Sequence, residues 1–229
     1  MLAYDRQLTD DLRLRLEGYH QWLFDAPVER TPSSYSALTE GADFERPVKG
    51  NLVSEGRGRN FGAELTLERA FAQGYYFLLT GSLFESNYQG SDGVTRNTPF
   101  NTQFAANALA GREFGVGRHG NTFTVSVKAG STGGRYVTPL NLETSAAVRR
   151  PIYRQNEAFS EQLPAYFRAD VKLSYKINRA RLTHEIALDL QNVSGRQNVF
   201  QRAYNPRTNR IGTAYQQGFL PIPFYRLTF

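Results

Sequence analysis

The sequence predicts an all-β fold, an antiparallel transmembrane β-barrel segment of about nine strands with short periplasmic turns and long extracellular loops. Three observations predict it. Apolar residues recur at a period of two through most of the chain, as they do along strands with one apolar face. The connections alternate between short turns and long polar loops, and one-sided loop length is a habit of outer-membrane barrels. The last six residues, Phe224-Tyr225-Arg226-Leu227-Thr228-Phe229, put Tyr225, Leu227 and Phe229 on one face up to the final carboxylate. An apolar face that reaches the end of a chain needs burial, and a bilayer supplies it.

Taken in order, the first strand runs into a second in which Leu12, Leu14 and Leu16 alternate with Arg13, Arg15 and Glu17, ending near Trp22. A polar, proline-bearing stretch follows from Asp25 to about Gly58. Phe61, Ala63, Leu65 and Leu67 then alternate with Gly62, Glu64, Thr66 and Glu68. The turn Phe71-Ala72-Gln73-Gly74 leads into Tyr75–Tyr88, where apolar residues occupy both parities and leave the facing open. Phe100–Arg112 and Asn121–Ser131 form the next pair around a glycine-rich turn, and a loop of about thirty residues extends from Thr132 to Leu163. Phe167, Ala169, Val171, Leu173, Tyr175 and Ile177 share a face against Arg168, Asp170, Lys172, Ser174 and Lys176. The turn Asn178-Arg179-Ala180-Arg181 joins this strand to Leu182–Asn192, and a loop from Val193 to about Tyr215 precedes the final strand.

Composition is compatible with that reading and excludes several others. No run of eighteen apolar residues occurs, so no transmembrane helix is predicted. A mean hydropathy of −0.49 does not argue against barrel strands, which are apolar only at alternate positions. Thirteen Tyr and sixteen Phe against one Trp suit strands and interfacial girdles. With no cysteine, there is no disulfide framework or thiolate metal site. The net charge of +6 is spread singly among 21 carboxylates, which lacks the clustered footprint of a nucleic-acid binder. Met1-Leu2-Ala3-Tyr4-Asp5-Arg6 does not read as a signal peptide, and the chain is expected to be a piece of something longer.

Face chemistry sharpens the choice. Arg168, Asp170, Lys172, Glu185 and Asp189 are expected to share the polar face of the best hairpin. A lipid-facing Arg or Lys costs about 2–4 kcal/mol at the bilayer midplane, so that face should look into a lumen. An ordinary solvated sheet face would alternate in the same way. His184, which shares parity with Leu182 and Ile186, reads as an interfacial residue rather than a ligand.

Several strings in order resemble the C-terminal barrel of TonB-dependent outer-membrane receptors, especially those of Bacteroidetes type. They are Glu55-Gly56-Arg57-Gly58-Arg59-Asn60-Phe61-Gly62-Ala63-Glu64-Leu65, Tyr75-Tyr76-Phe77-Leu78, Ala110-Gly111-Arg112-Glu113 and Gly133-Gly134-Arg135-Tyr136-Val137-Thr138-Pro139. Then come Tyr166-Phe167-Arg168-Ala169-Asp170, Leu188-Asp189-Leu190-Gln191-Asn192-Val193 and Leu220-Pro221-Ile222-Pro223 before the terminal strand. The resemblance covers most of the chain. It implies that residues 1–229 carry roughly the last nine strands of a receptor barrel in the cell outer membrane. The signal peptide, plug domain and N-terminal strands would lie outside the chain. The implied function is transport: barrel wall and ligand-capturing loops for uptake of a scarce nutrient. The implied partners are outer-membrane lipid, the protein's own plug, the TonB system and the barrel assembly machinery. That machinery would read Tyr225, Leu227 and Phe229 as an assembly signal. The ligand, a small molecule or an oligomer, is left open.

No catalytic motif emerges. His20, His119 and His184 are far apart, and HExxH, P-loop and G-x-S-x-G patterns are absent. No enzyme activity, cofactor or metal is expected. Tyr35, Phe44, Tyr136, Tyr153 and Phe159 are the candidate ligand-clamping loop aromatics, although packing of loop on loop would use the same residues. A self-contained small outer-membrane barrel (structural or enzymatic) and a soluble β-rich binding module remain as alternatives.

Overall fold

The computed structural model describes residues 1–41 and 49–229. Its principal sheet is an antiparallel meander whose path comprises β1 (Leu2–Thr9), β2 (Leu12–Glu29), β3 (Leu52–Ala72), β4 (Tyr75–Gln89), β6 (Phe104–Val116), β7 (Asn121–Thr132), β10 (Tyr166–Asn178), β11 (Thr183–Gln191) and β14 (Leu220–Thr228). Each strand on the path pairs with the one before it. A short tenth strand, β5 (Thr95–Asn97), adds to the loop end of β4. The nine strands of the path match the nine predicted segments in order.

Turn chemistry explains the short connections. Gln73 and Gly74 both have positive φ, 53° and 84°, between the paired residues Ala72 and Tyr75. That is the two-residue turn whose twist suits a tight hairpin. Gly117 and Gly120, also at positive φ, flank the β6–β7 turn. The opposite end differs from expectation. β2 and β3 run beyond Trp22 and start before Phe61, pairing as far as Glu29 with Leu52 across two register shifts. The shifts break strict alternation there, which is why the stretch reads as loop from its sequence. The other long loops carry their own structure. One holds β8 (Tyr136–Val137), α1 (Leu142–Val148) and β9 (Glu161–Gln162); another folds as a hairpin of β12 (Val199–Asn205) and β13 (Arg210–Tyr215).

Register divides the sheet into two faces. One carries Leu14, Leu16, Leu65, Leu67, Leu79, Leu83, Ala108, Val125, Val127, Val171, Leu173, Leu188 and, at the far edge, Pro223 and Tyr225. Tyr75–Gln89 is resolved in this way: Tyr75, Phe77, Leu79 and Leu83 lie on the apolar face, and Tyr76, Phe84 and Tyr88 on the other. Among the residues that the register places on the apolar face, the charged ones are Arg6, in the middle of β1, and Arg57, Arg59, Arg69, Glu85 and Arg112, which lie at the margins of the apolar stretch. Three of these arginines meet aromatic rings there. Arg59 lies 5.1 Å from the Phe61 centroid, Arg69 4.1 Å from Tyr75 and Arg112 5.0 Å from Phe114.

The apolar face is bare: Leu83 is 69% exposed and Ile186 54%. Total accessible surface is 14964 Å², whereas a compact 25.9 kDa chain exposes roughly 10,500 Å². The largest fully buried side chains, Tyr88, Val28, Asn101, Asn192, Ser36 and Ser145, all lie at the loop end. The core is therefore a canopy of loops on one end of the sheet.

Candidate functional site

The canopy is laced together by close backbone approaches. A Cβ on Gly133 would sit 1.8 Å from the Thr102 carbonyl oxygen, and one on Gly134 would sit 1.5 Å from that of Leu163. Only glycine fits where three loop segments cross. Asn192, at φ 49°, donates from Nδ2 to the carbonyls of Arg196 and Gln217 while Ser194 donates to its Oδ1. Asn198 clasps the top of β10, accepting from Phe167 N at 3.0 Å and donating to Phe167 O at 2.8 Å. Tyr88 donates to the Ser34 carbonyl at 2.9 Å, and its ring meets Phe159 edge-on at 6.0 Å. Asp92 and Arg96 close the loop after β4 with an ion pair of 2.7 Å; the Arg96 hydrogen bond holds the Asp92 carboxyl below its ordinary value.

Between the loop after β7 and the β12–β13 hairpin lies a cavity of about 590 Å³. Tyr136, Tyr153, Phe159 and Phe200 supply aromatic walls, and Arg135, Glu161 and Arg202 supply charge. Each is placed by local structure. Tyr136 lies on β8; Tyr153 is bridged to Leu140; Phe159 N donates to Thr138 Oγ1 at 3.3 Å. Glu161 on β9 makes an ion pair with Arg202 on β12, and Arg135 donates to the Phe200 carbonyl at 3.4 Å. A second cavity of about 530 Å³ opens on the polar face, lined among others by Tyr19, Gln21, Asn60, Glu64, Phe84 and Thr98.

Of the five loop aromatics selected from the sequence, Tyr136, Tyr153 and Phe159 converge on the larger cavity. Tyr35 lies in a different loop, hydrogen-bonded to Glu40 with Lys49 5.2 Å from its ring centroid. Phe44 falls outside the described residues. Phe200 and Arg202 are not evident from the sequence, which predicts a loop from Val193 to about Tyr215 where the structure has the β12–β13 hairpin. The alternation of Val199, Gln201 and Ala203 is too weak to betray its hairpin.

Arg168, Asp170, Lys172, Glu185 and Asp189 do share the polar face, with Lys172 opposite Asp189 and Asp170 opposite Lys128. Arg168 binds Asp170 at 2.7 Å, while Lys172 and Arg226 flank Glu185 at 3.7 Å each. Tyr225 and Leu227 lie on the apolar face opposite Ile186 and His184; Phe229 follows the last strand and is fully exposed. His184 Nδ1 is 2.6 Å from Tyr225 Oη, so the histidine at this strand end is occupied by a neighbour. Among the described residues, no group of three or more His, Cys, Asp or Glu is arranged to hold a metal ion.

A comparison with protein-family models found no matching family, and a search among curated proteins found no matching relative.

Proposed function

We propose that this chain forms part of the wall of an outer-membrane barrel, and that the barrel belongs to a TonB-dependent transporter whose loops capture a scarce nutrient. The observation that carries this reading is the bare apolar face. On β3 it is bounded by Arg59 and Arg69, ten residues apart. At ~3.3 Å per residue and a strand tilt of ~40°, that interval spans about 25 Å vertically, the height of a barrel's lipid-facing band. Rings at both margins, Trp22, Phe61 and Phe104 on one side and Tyr75, Phe114 and Phe123 on the other, fit interfacial girdles. The opposite, polar face would then look into the lumen toward the plug, with Arg168, Asp170, Lys172, Glu185 and Asp189 among its residues. The transporter assignment adds the family resemblance described above. TonB-driven plug movement would admit the ligand.

Membranes carrying the native full-length protein test the wall. The chain should resist salt and carbonate extraction and leave only with detergent; recovery in the soluble fraction without detergent defeats the proposal. The assembly role of Tyr225, Leu227 and Phe229 is tested separately. Phe229→Asp should lower the amount of heat-modifiable, membrane-inserted protein, and unchanged levels would remove that role.

A self-contained small barrel is less well supported. Along a nine-strand antiparallel path β1 and β14 run in the same direction, so pairing them directly would make a parallel closure. Bacterial single-chain barrels close antiparallel with even strand numbers. A soluble module fits poorly with so much bare apolar surface.

A further inference from the structure

We infer that the 590 Å³ cavity between the loop after β7 and the β12–β13 hairpin binds a ring-bearing carboxylate, whose oxyanion takes Arg202 in exchange for Glu161. The inference concerns the cavity alone and does not rest on transport or membrane insertion.

Three independent features converge. The first is volume and wall chemistry: about 590 Å³ falls within the usual range of small-molecule sites. The four aromatic rings come from both loops, so a flat ring entering between them would contact both. The second is charge. Residues 133–165 and 192–219 contain eight arginines, three glutamates and no lysine or aspartate, a net +5 of the chain's +6. Over 192–219 there is no carboxylate at all. Of these arginines, Arg135 and Arg202 line the cavity itself; a net positive surround concentrates anions, and arginine's planar fork matches carboxylate geometry in a way lysine does not. The third is the ion pair at the cavity wall. Arg202 and Glu161 keep side-chain exposures of 39% and 33%, so the guanidinium is reachable from solvent and its present partner is a carboxylate. A ligand carboxylate replaces like with like. The hairpin's contacts through Arg135 and Asn198 do not depend on that exchange.

Calorimetry on the full-length native protein in detergent, at low and moderate salt, tests the inference with two acids and their uncharged counterparts: 2-naphthoate with its methyl ester, and digalacturonate with its dimethyl ester. At least one acid should bind saturably, one per chain, and exceed its ester by about tenfold or more. Arg202→Gln should weaken that acid by ten- to a hundredfold, the range for losing a charged hydrogen-bond partner. Arg207→Gln, at the hairpin tip, should change affinity less than about twofold, because its exposed charge acts only through a screened field. Glu161→Gln keeps the cavity while removing the competitor, and should tighten the acid severalfold. Binding of neither acid, equal binding of acid and ester, or undiminished binding in Arg202→Gln each overturns the inference. So does weaker binding in Glu161→Gln, which also covers the case in which Arg202→Gln disturbs the hairpin.

Discussion

The sheet wall and the loop canopy of this molecule follow opposite packing rules. In the wall, the ladder satisfies the backbone while leucines and valines stand bare; Leu65 is 44% exposed. In the canopy, irregular backbone is buried and satisfied by side chains such as Asn192, Asn198 and Ser145, with few large apolar groups. A soluble domain joins these roles, using apolar sheet faces as its core. Here they are separated. The wall's stability must come from whatever covers its apolar face, whereas the canopy is held by its own hydrogen bonds and steric fit.

That contrast can be broken at either end. Leu65→Arg puts a charge in the middle of the apolar face, and should cost about 2–4 kcal/mol of folding stability in a bilayer. The neighbouring Thr66→Arg, on the polar face beside Thr80, should cost far less. Reversible denaturant unfolding in lipid vesicles checks the pair, and equal effects would erase the distinction between faces. Gly134→Ala drives a Cβ into a carbonyl that no rotamer change can move. It should destabilise the canopy by about 3 kcal/mol while leaving the strand signal of the wall intact. Protease sensitivity confined to the loops would show it. Asn192→Ala removes two donated bonds and puts alanine at positive φ, for a loss of about 2 kcal/mol in the same assay.

The smallest effect is electrostatic. Asp92 has its pKa lowered from 3.8, chiefly by its hydrogen bond with Arg96. Its stabilising contribution is therefore fully present above the unfolded value and fades as pH falls through the lower folded one. Below about pH 4 the loop after β4 should loosen by less than about 1 kcal/mol. Protection factors at Gly93 and Val94, taken relative to the intrinsic amide exchange rate at each pH, should fall between pH 5 and pH 3 in the parent protein, and Asp92→Asn should abolish that change.

The wall was legible in the sequence because period two is a direct consequence of strand geometry, and Phe167–Ile177 or Leu12–Leu16 announce their faces unaided. Tyr75–Tyr88 did not, since its polar-face rings pack locally: a Cβ on Gly111 would lie 2.5 Å from the Tyr76 ring. The canopy was legible only in part. Tyr136, Tyr153 and Phe159 stood out as aromatics in a polar stretch. Phe200 and Arg202 reach the same cavity through a hairpin with weak alternation, and Glu161 meets Arg202 across 41 residues of chain. Contacts at that separation leave no trace in local periodicity. The glycines at 133 and 134 were visible as part of a motif, but their reason is a crossing of backbones that only the tertiary structure contains.

The meander order of the nine strands has a consequence for how this chain can be cut. Because no strand on the path is threaded between two others distant in sequence, a nick in any one long loop leaves two pieces, each an uninterrupted sub-sheet. The cut at 192–219, for example, would free β14 while its nine-residue register with β11 remains available for re-pairing. Such a topology lends itself to complementation from split halves, with the seam placed at a loop.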